Sequence, residues 1–163
     1  MKFPVRYLPA TLTKKDKQKQ IKMLMKSRKL YRTKHQYYTR KPLTSYKNKT
    51  SKHIINARKI YKIHNLTPSK ELARKTGCSL SALNRIVKKG EGAYYSSGSR
   101  PNQTPQSWGI ARLASAITAG KAAAVDYNII NAGCNHKKKA YILANKSRRQ
   151  YKHGQSRTRR VIV

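Results

Sequence analysis

Acidic side chains are almost missing from this chain. Asp16, Glu71, Glu91 and Asp126 are its only side-chain carboxylates, against 39 Lys and Arg, a formal net charge of +35 over 163 residues. Four carboxylates spread over more than a hundred positions offer no pair for general acid–base work, so the reading is of a protein that is not an enzyme. Cysteine is nearly as scarce. Cys78 and Cys134 stand 56 positions apart, outside any C-x-x-C pair and with no His at finger spacing, which argues against structural zinc. Both are expected as reduced, buried small hydrophobes, with a disulfide as the alternative. His35, His53, His64, His136 and His153 show no metal-ligand spacing, so neither metal nor cofactor is expected. No run approaches the ~20 apolar residues of a membrane span, and Met1-Lys2-Phe3-Pro4 does not open a signal peptide. The Gly-Lys-Ser/Thr of a phosphate-cradling loop is absent, and no small-molecule substrate is implied.

What is present is cationic charge at both ends. Residues 1–65 hold 20 of the basic side chains and residues 137–163 hold 10, while residues 91–136 hold only Arg100, Arg112 and Lys121. The hydrophobic fraction is 37%, below the ~45–50% usual for globular chains, so a modest core is expected. A compact fold of this charge repels itself and must settle against an acidic partner. The expected organisation is a basic arm with one helix over 1–50, a helical core over 51–136, and a basic tail over 137–163.

The fold class read from the pattern is all-α: a small helical domain with a helix-turn-helix-like hairpin and extended basic arms. Thr13 with Asp16 gives a capping-box start, and Ile21, Leu24 and Met25 recur at helical spacing to about Tyr31. Residues 32–50, rich in Tyr, Lys and Thr with Pro42, read as extended. Ser51 caps a helix with Ile54, Ala57 and Tyr61 on one stripe. Thr67-Pro68 is a cap followed by proline at the first helical position. Gly77 then closes that helix, Ser79 caps the next, and Gly90 ends it. Ala73, Gly77, Leu83 and Ile86 have the spacing two helices need to cross closely, which makes 67–90 the hairpin. In a DNA-binding reading Ser81, Asn84 and Arg85 face base edges, while Arg74, Lys75, Lys88 and Lys89 hold phosphates. A plain hairpin within a helical core is the other reading.

Residues 91–107 read as a long Gly-, Ser- and Tyr-rich loop, with Tyr94, Tyr95, Arg100 and Asn102 as partner or core contacts. Thr104-Pro105 repeats the cap-then-proline signal, and near-neutral helices follow over 108–133, with Trp108 as core or interface and Gly120 as a stop. Val161, Ile162 and Val163 form an apolar tip suited to anchoring in a partner. Strands are hard to place anywhere.

Several of these stretches carry a resemblance. Leu12–Asp16, Lys26–Tyr31, Ser51–Ile54, Thr76–Cys78, the run Lys89-Gly90-Glu91-Gly92-Ala93-Tyr94-Tyr95-Ser96-Ser97-Gly98-Ser99-Arg100-Pro101-Asn102-Gln103-Thr104, Ser107-Trp108-Gly109 and Ala111–Ser115 together resemble a family of small basic proteins of large icosahedral double-stranded DNA viruses, among them chlorella viruses. The resemblance spans about residues 6–144 and brings no catalytic residues. It implies a minor capsid protein that cements jelly-roll capsomers on the inner face of the shell. Its partners would be the major capsid protein and other minor capsid proteins, inside a virion assembled from protein made in the host cytoplasm. Nucleic acid and the anionic surface of an inner membrane are the further partners this charge would suit. A DNA-binding protein of the virion or viral factory is the alternative. A ribosomal or RNA-packaging role rests on charge alone.

Overall fold

A computed structural model describes all 163 residues, Met1 to Val163. It is mostly helical. Eight α-helices run in chain order as α1 (Lys14–Lys34), α2 (Lys52–Tyr61), α3 (Lys70–Thr76), α4 (Leu80–Ser96), α5 (Pro105–Ala116), α6 (Lys121–Val125), α7 (Tyr127–Gly133) and α8 (Lys139–Gln150). A two-stranded antiparallel sheet joins β1 (Lys2–Pro4) to β2 (Arg160–Ile162). No helix is long and apolar enough to cross a membrane. The chain forms two compact units, neither continuous in sequence: Met1–Lys49 with Glu91–Trp108 and Arg157–Val163, and Thr50–Gly90 with Gly109–Ser156.

The first unit gathers around Phe3, Tyr7, Leu8 and Leu24, with Ile21, Trp108 and Val161 packed against them. Thr13 caps α1 as its sequence implies, its hydroxyl accepting from the Asp16 amide at 3.2 Å. The helix continues past Tyr31 to Lys34, and His35 ends it in the left-handed conformation (φ 51°). Residues 35–49, expected as an extended arm, carry no helix but pack into this unit, with Arg40 and Leu43 buried. Asn102 holds them there. Its amide group accepts from the Leu43 amide at 2.6 Å and donates to the carbonyls of Leu43 and Tyr46 at 3.1 and 2.8 Å. The chain ends meet in the sheet, where Lys2 pairs with Ile162 and Phe3 with Val161. Of the expected apolar tip, Val161 therefore packs on its own unit, while Ile162 and Val163 stay exposed.

The larger core belongs to the second unit. Leu72, Leu83, Ile86, Leu113, Ile117 and Ile130 are fully buried there, among small residues such as Ala57, Ala114, Ala123, Ala140 and Ala144. Ser51 caps α2 through the His53 amide, and Tyr61 buries its ring while its hydroxyl donates to the Ile117 carbonyl at 2.6 Å. The cap of α3 is Ser69, whose hydroxyl accepts from the Leu72 amide at 3.1 Å, not Thr67 as expected. Thr67 instead bonds to Asn65. Gly77 closes α3 at φ 78°, as read from the sequence.

Gly90 does not end α4, which runs on through Gly92 to Ser96. Gly90 serves close approach instead: a Cβ built there would lie 2.6 Å from the Gly109 Cα. The expected loop over 91–107 shrinks accordingly to residues 97–104, because its first six residues are helical. At Thr104 the reading holds: Pro105 is the first residue of α5, and Thr104 and Ser107 exchange side-chain bonds with each other's amides at 3.0 and 2.9 Å. Gly120 stands before α6 rather than within the end of α5, which stops at Ala116.

The cysteines depart furthest from expectation. Cys78 and Cys134 form a disulfide rather than two thiols. The turn between α3 and α4 lies against the end of α7, with the Ser79 amide donating to the Gly133 carbonyl and the Asn135 amide to the Gly77 carbonyl, each at 2.7 Å. That reciprocal pair brings together two segments far apart in sequence.

Candidate polyanion interface

The four carboxylates are where any internal compensation must occur. Asp126 is fully buried in the second unit and accepts two bonds of 2.7 Å from the Arg112 guanidinium, with the Lys89 ammonium at 3.0 Å. A buried carboxylate needs such partners, and the bidentate geometry makes the pair strong. Glu71 pairs with Lys75 one turn along α3 at 3.3 Å. In the first unit Asp16 accepts from the Ser45 hydroxyl and amide at 2.6 and 3.0 Å. Those two bonds hold its carboxyl below the usual range.

Lys75 and Lys89, expected to hold phosphates, are thus engaged within the second unit; Lys75 also donates to the Lys62 carbonyl at 2.8 Å. The other expected contacts lie differently. Ser81, Asn84, Arg85 and Lys88 are exposed on α4 at i, i+3, i+4 and i+7, one continuous face, while Leu83 and Ile86 point into the core. Arg74 is exposed on α3. The seven expected contacts therefore divide into five exposed residues without a carboxylate partner, Ser81, Asn84, Arg85, Lys88 and Arg74, and two lysines paired with carboxylates.

More cations stand on faces the sequence reading did not single out. Ten of the 21 residues of α1 are Lys or Arg, and Lys15, Lys19, Lys22, Lys26 and Lys29 are all exposed at alternating spacings of four and three. On α8, Lys139, Lys146 and Arg149 form an exposed row, while Ala140, Ala144 and Ser147 turn inward. In the second unit a shallow concavity is lined by Ile60, Tyr61, Lys62, Lys75, Lys138 and Lys139. The signal for the α1 row was its lysine spacing. The signal for the concavity was not local, since it draws on α2, α3 and the start of α8.

The expected loop contacts serve the first unit. Tyr94 is fully buried, and Arg40 stacks its guanidinium over that ring at 3.7 Å. Arg40 is itself buried with no carboxylate partner. It donates to Ser27 Oγ, the Tyr94 carbonyl and Ser99 Oγ at 3.0, 3.0 and 2.8 Å, and its backbone amide donates to the Tyr94 hydroxyl at 2.9 Å. Burial lowers the guanidinium's pKa and raises that of the Tyr94 phenol. Tyr95 is half-buried, Arg100 is exposed, and Trp108 is half-buried with its ring edge-on to Tyr7 at 6.0 Å. Asn102, as described, is a structural clamp. Sequence reading missed Arg40 altogether, because an Arg in a Lys-rich stretch gives no sign that it will be buried.

Every buried side-chain polar atom has a hydrogen-bond partner, and no three His, Cys, Asp or Glu side chains converge on a common point.

A family model described as a family of unknown function (DUF5824) matches residues 4–137, and the chain belongs to that family. No curated protein and no solved structure matches it.

Proposed function

We propose that this DUF5824 member is a structural, non-enzymatic protein of a virion: a minor capsid protein that cements capsomers on the inner face of a large icosahedral double-stranded DNA virus shell. The viral setting rests on the sequence resemblance. The observation that carries the mechanism is the lack of internal compensation. Three of the four carboxylates are paired inside the fold, and they engage Lys19, Lys75, Lys89 and Arg112 among 39 cations. The remainder repel one another until an acidic surface meets them. The cations are spread over α1, α4 and α8, across both units, rather than confined to one groove. That distribution suits a node that touches several acidic capsomer bases at once, with multivalency supplying affinity that single contacts lack.

The test is amine-reactive cross-linking of intact virions followed by mass spectrometry. Cross-links from the α1 and α8 lysines to the major capsid protein support the reading; their absence while the chain is recovered with the genome refutes it.

One observation favours DNA binding as a second reading. The exposed α4 row, Ser81, Asn84, Arg85 and Lys88, follows a turn closed by Gly77 and capped by Ser79, a geometry that would let α4 enter a major groove as a recognition helix. Both readings place the basic surfaces against polyanions and differ in which one.

A further inference from the structure

Tyrosine is the abundant aromatic of this chain, with 11 residues against one Trp and one Phe. Four of the 11 meet in the first unit. The rings of Tyr31 and Tyr95 lie nearly parallel, 9° apart with centroids 6.4 Å from each other. Tyr37 closes on both, at 6.1 Å from Tyr31 and 4.9 Å from Tyr95. Beneath them the fully buried Tyr94 meets Tyr95 edge-on at 5.2 Å. The cluster is anchored: Tyr94 is pinned by Arg40, and the Tyr95 carbonyl accepts from Ser27 Oγ at 3.2 Å. Its outer member is largely open, since Tyr37 keeps 72% of its surface exposed.

An aromatic ring this open contributes little to the unit's own packing. Its surroundings are cationic. Lys34 lies exposed one turn beyond Tyr31 on α1, and Lys26 stacks its ammonium on the Tyr38 ring at 4.6 Å, while Arg28, one turn before Tyr31, donates to the Ser97 carbonyl at 2.9 and 2.7 Å. Asp16, the carboxylate of α1, stands fifteen residues from Tyr31, ~22 Å along the helix axis. Glu91, one turn before Tyr95 on α4, is the nearest carboxylate along the chain.

Exposed aromatic faces set among cations are what an unpaired nucleic-acid strand requires, with bases stacking on rings and phosphates meeting ammonium and guanidinium groups. A duplex hides its base faces, and an acidic protein surface has none to offer. We infer that Tyr31, Tyr37 and Tyr95 form a stacking platform for single-stranded nucleic acid, without base specificity. Tyr31, Tyr37 and Tyr95 all belong to the first unit, whereas the α4 row belongs to the second, and the proposal is independent of the capsid reading: the platform stands or fails whatever the α1 and α8 lysines touch.

Fluorescence anisotropy of the full chain tests it, with three labelled probes of equal phosphate number: an oligothymidylate about fifteen nucleotides long, an abasic strand with the same backbone, and a duplex. Stacking predicts that the oligothymidylate binds about fivefold or more tighter than the abasic strand. Tyr37→Ala should remove most of that advantage and leave abasic binding unchanged, while Tyr37→Phe, which keeps the ring, should stay within about twofold of wild type. Equal affinity for the abasic and base-bearing strands would overturn the inference, as would a Tyr37→Ala variant that matches wild type on oligothymidylate, or one that loses duplex affinity in equal measure. The first comparison needs no variant, and circular dichroism of Tyr37→Ala checks that its fold is intact.

Discussion

Two glycines two residues apart on α4 should respond in opposite directions to the same substitution. At Gly92 a Cβ would meet nothing within 4 Å. Alanine there removes the backbone-entropy penalty of a glycine inside a helix, so Gly92→Ala should stabilise the protein by about 0.5–1 kcal/mol. At Gly90 the same methyl would lie 2.6 Å from the Gly109 Cα and 3.2 Å from the Gly109 nitrogen and the Arg112 Cβ. The nearest obstacle is backbone, so no rotamer change relieves it; α4 and α5 must part by roughly 1 Å at their closest point. Such overpacking costs about 1–3 kcal/mol, against the same propensity gain of up to about 1 kcal/mol. With that gain taken in full, the net expectation for Gly90→Ala is a loss of up to about 2 kcal/mol. Displacement of Arg112 would also disturb its two bonds to the buried Asp126, which moves the result towards the larger end. Urea denaturation at fixed ionic strength measures both variants against wild type. At this chain length each kcal/mol corresponds to roughly 2–4 °C in Tm. If Gly90→Ala stabilises as Gly92→Ala does, the close approach of the two helices is wrong.

Three further outcomes follow from the same structure. Reducing the Cys78–Cys134 disulfide, or replacing both cysteines with alanine, should lower stability by about 2–4 kcal/mol, because the bond closes a loop of sequence separation 56; a thermal melt with and without reductant that superimposes would contradict the link. The Asp16 carboxylate is favoured in the folded state by Ser45, so its contribution is present above its ordinary pKa of 3.8 and is lost as pH falls below that value. Urea midpoints of wild type should therefore drop more steeply below pH 4 than those of Asp16→Asn, and identical slopes would refute the assignment. If α4 meets duplex DNA, Arg85→Ala combined with Lys88→Ala should reduce the slope of log K against log salt by nearly 2, about 0.9 for each phosphate no longer neutralised; an unchanged slope in a filter-binding titration removes that face from the DNA reading.

Local signals in this sequence are legible where the deciding interaction is itself local. Thr13, Ser51, Gly77 and Thr104 do what their spacing implies, because a cap needs only an amide two or three residues away. Thr67 and Ser69 show how narrowly such readings divide: both offer a hydroxyl before the same apolar run, and Asn65 takes Thr67 out of contention. Gly90 looks like a stop because a helix-ending glycine and a helix-packing glycine are the same residue, and only the presence of Gly109 across from it separates the two roles. The sheet is illegible because Lys2–Pro4 and Arg160–Ile162 are three residues each, at opposite ends of the chain. The disulfide and the burial of Arg40 share that cause, since each depends on partners more than fifty positions away. Of the candidate interface, the exposed row on α4 follows from helical periodicity. The i, i+4 pairing of Glu71 with Lys75 is local in the same way, whereas the commitment of Lys89 to Asp126 is not, and the meeting of Tyr31, Tyr37 and Tyr95 depends on the path of residues 35–49.

The most direct test of the central claim is a density map of the virion shell resolved finely enough to trace helices. A capsomer-cementing role puts α1, a helix of 21 residues, beneath the capsomers with its lysine row against their acidic bases. A map in which this chain is absent from the shell, or lies on the genome with no capsomer within reach, would contradict it.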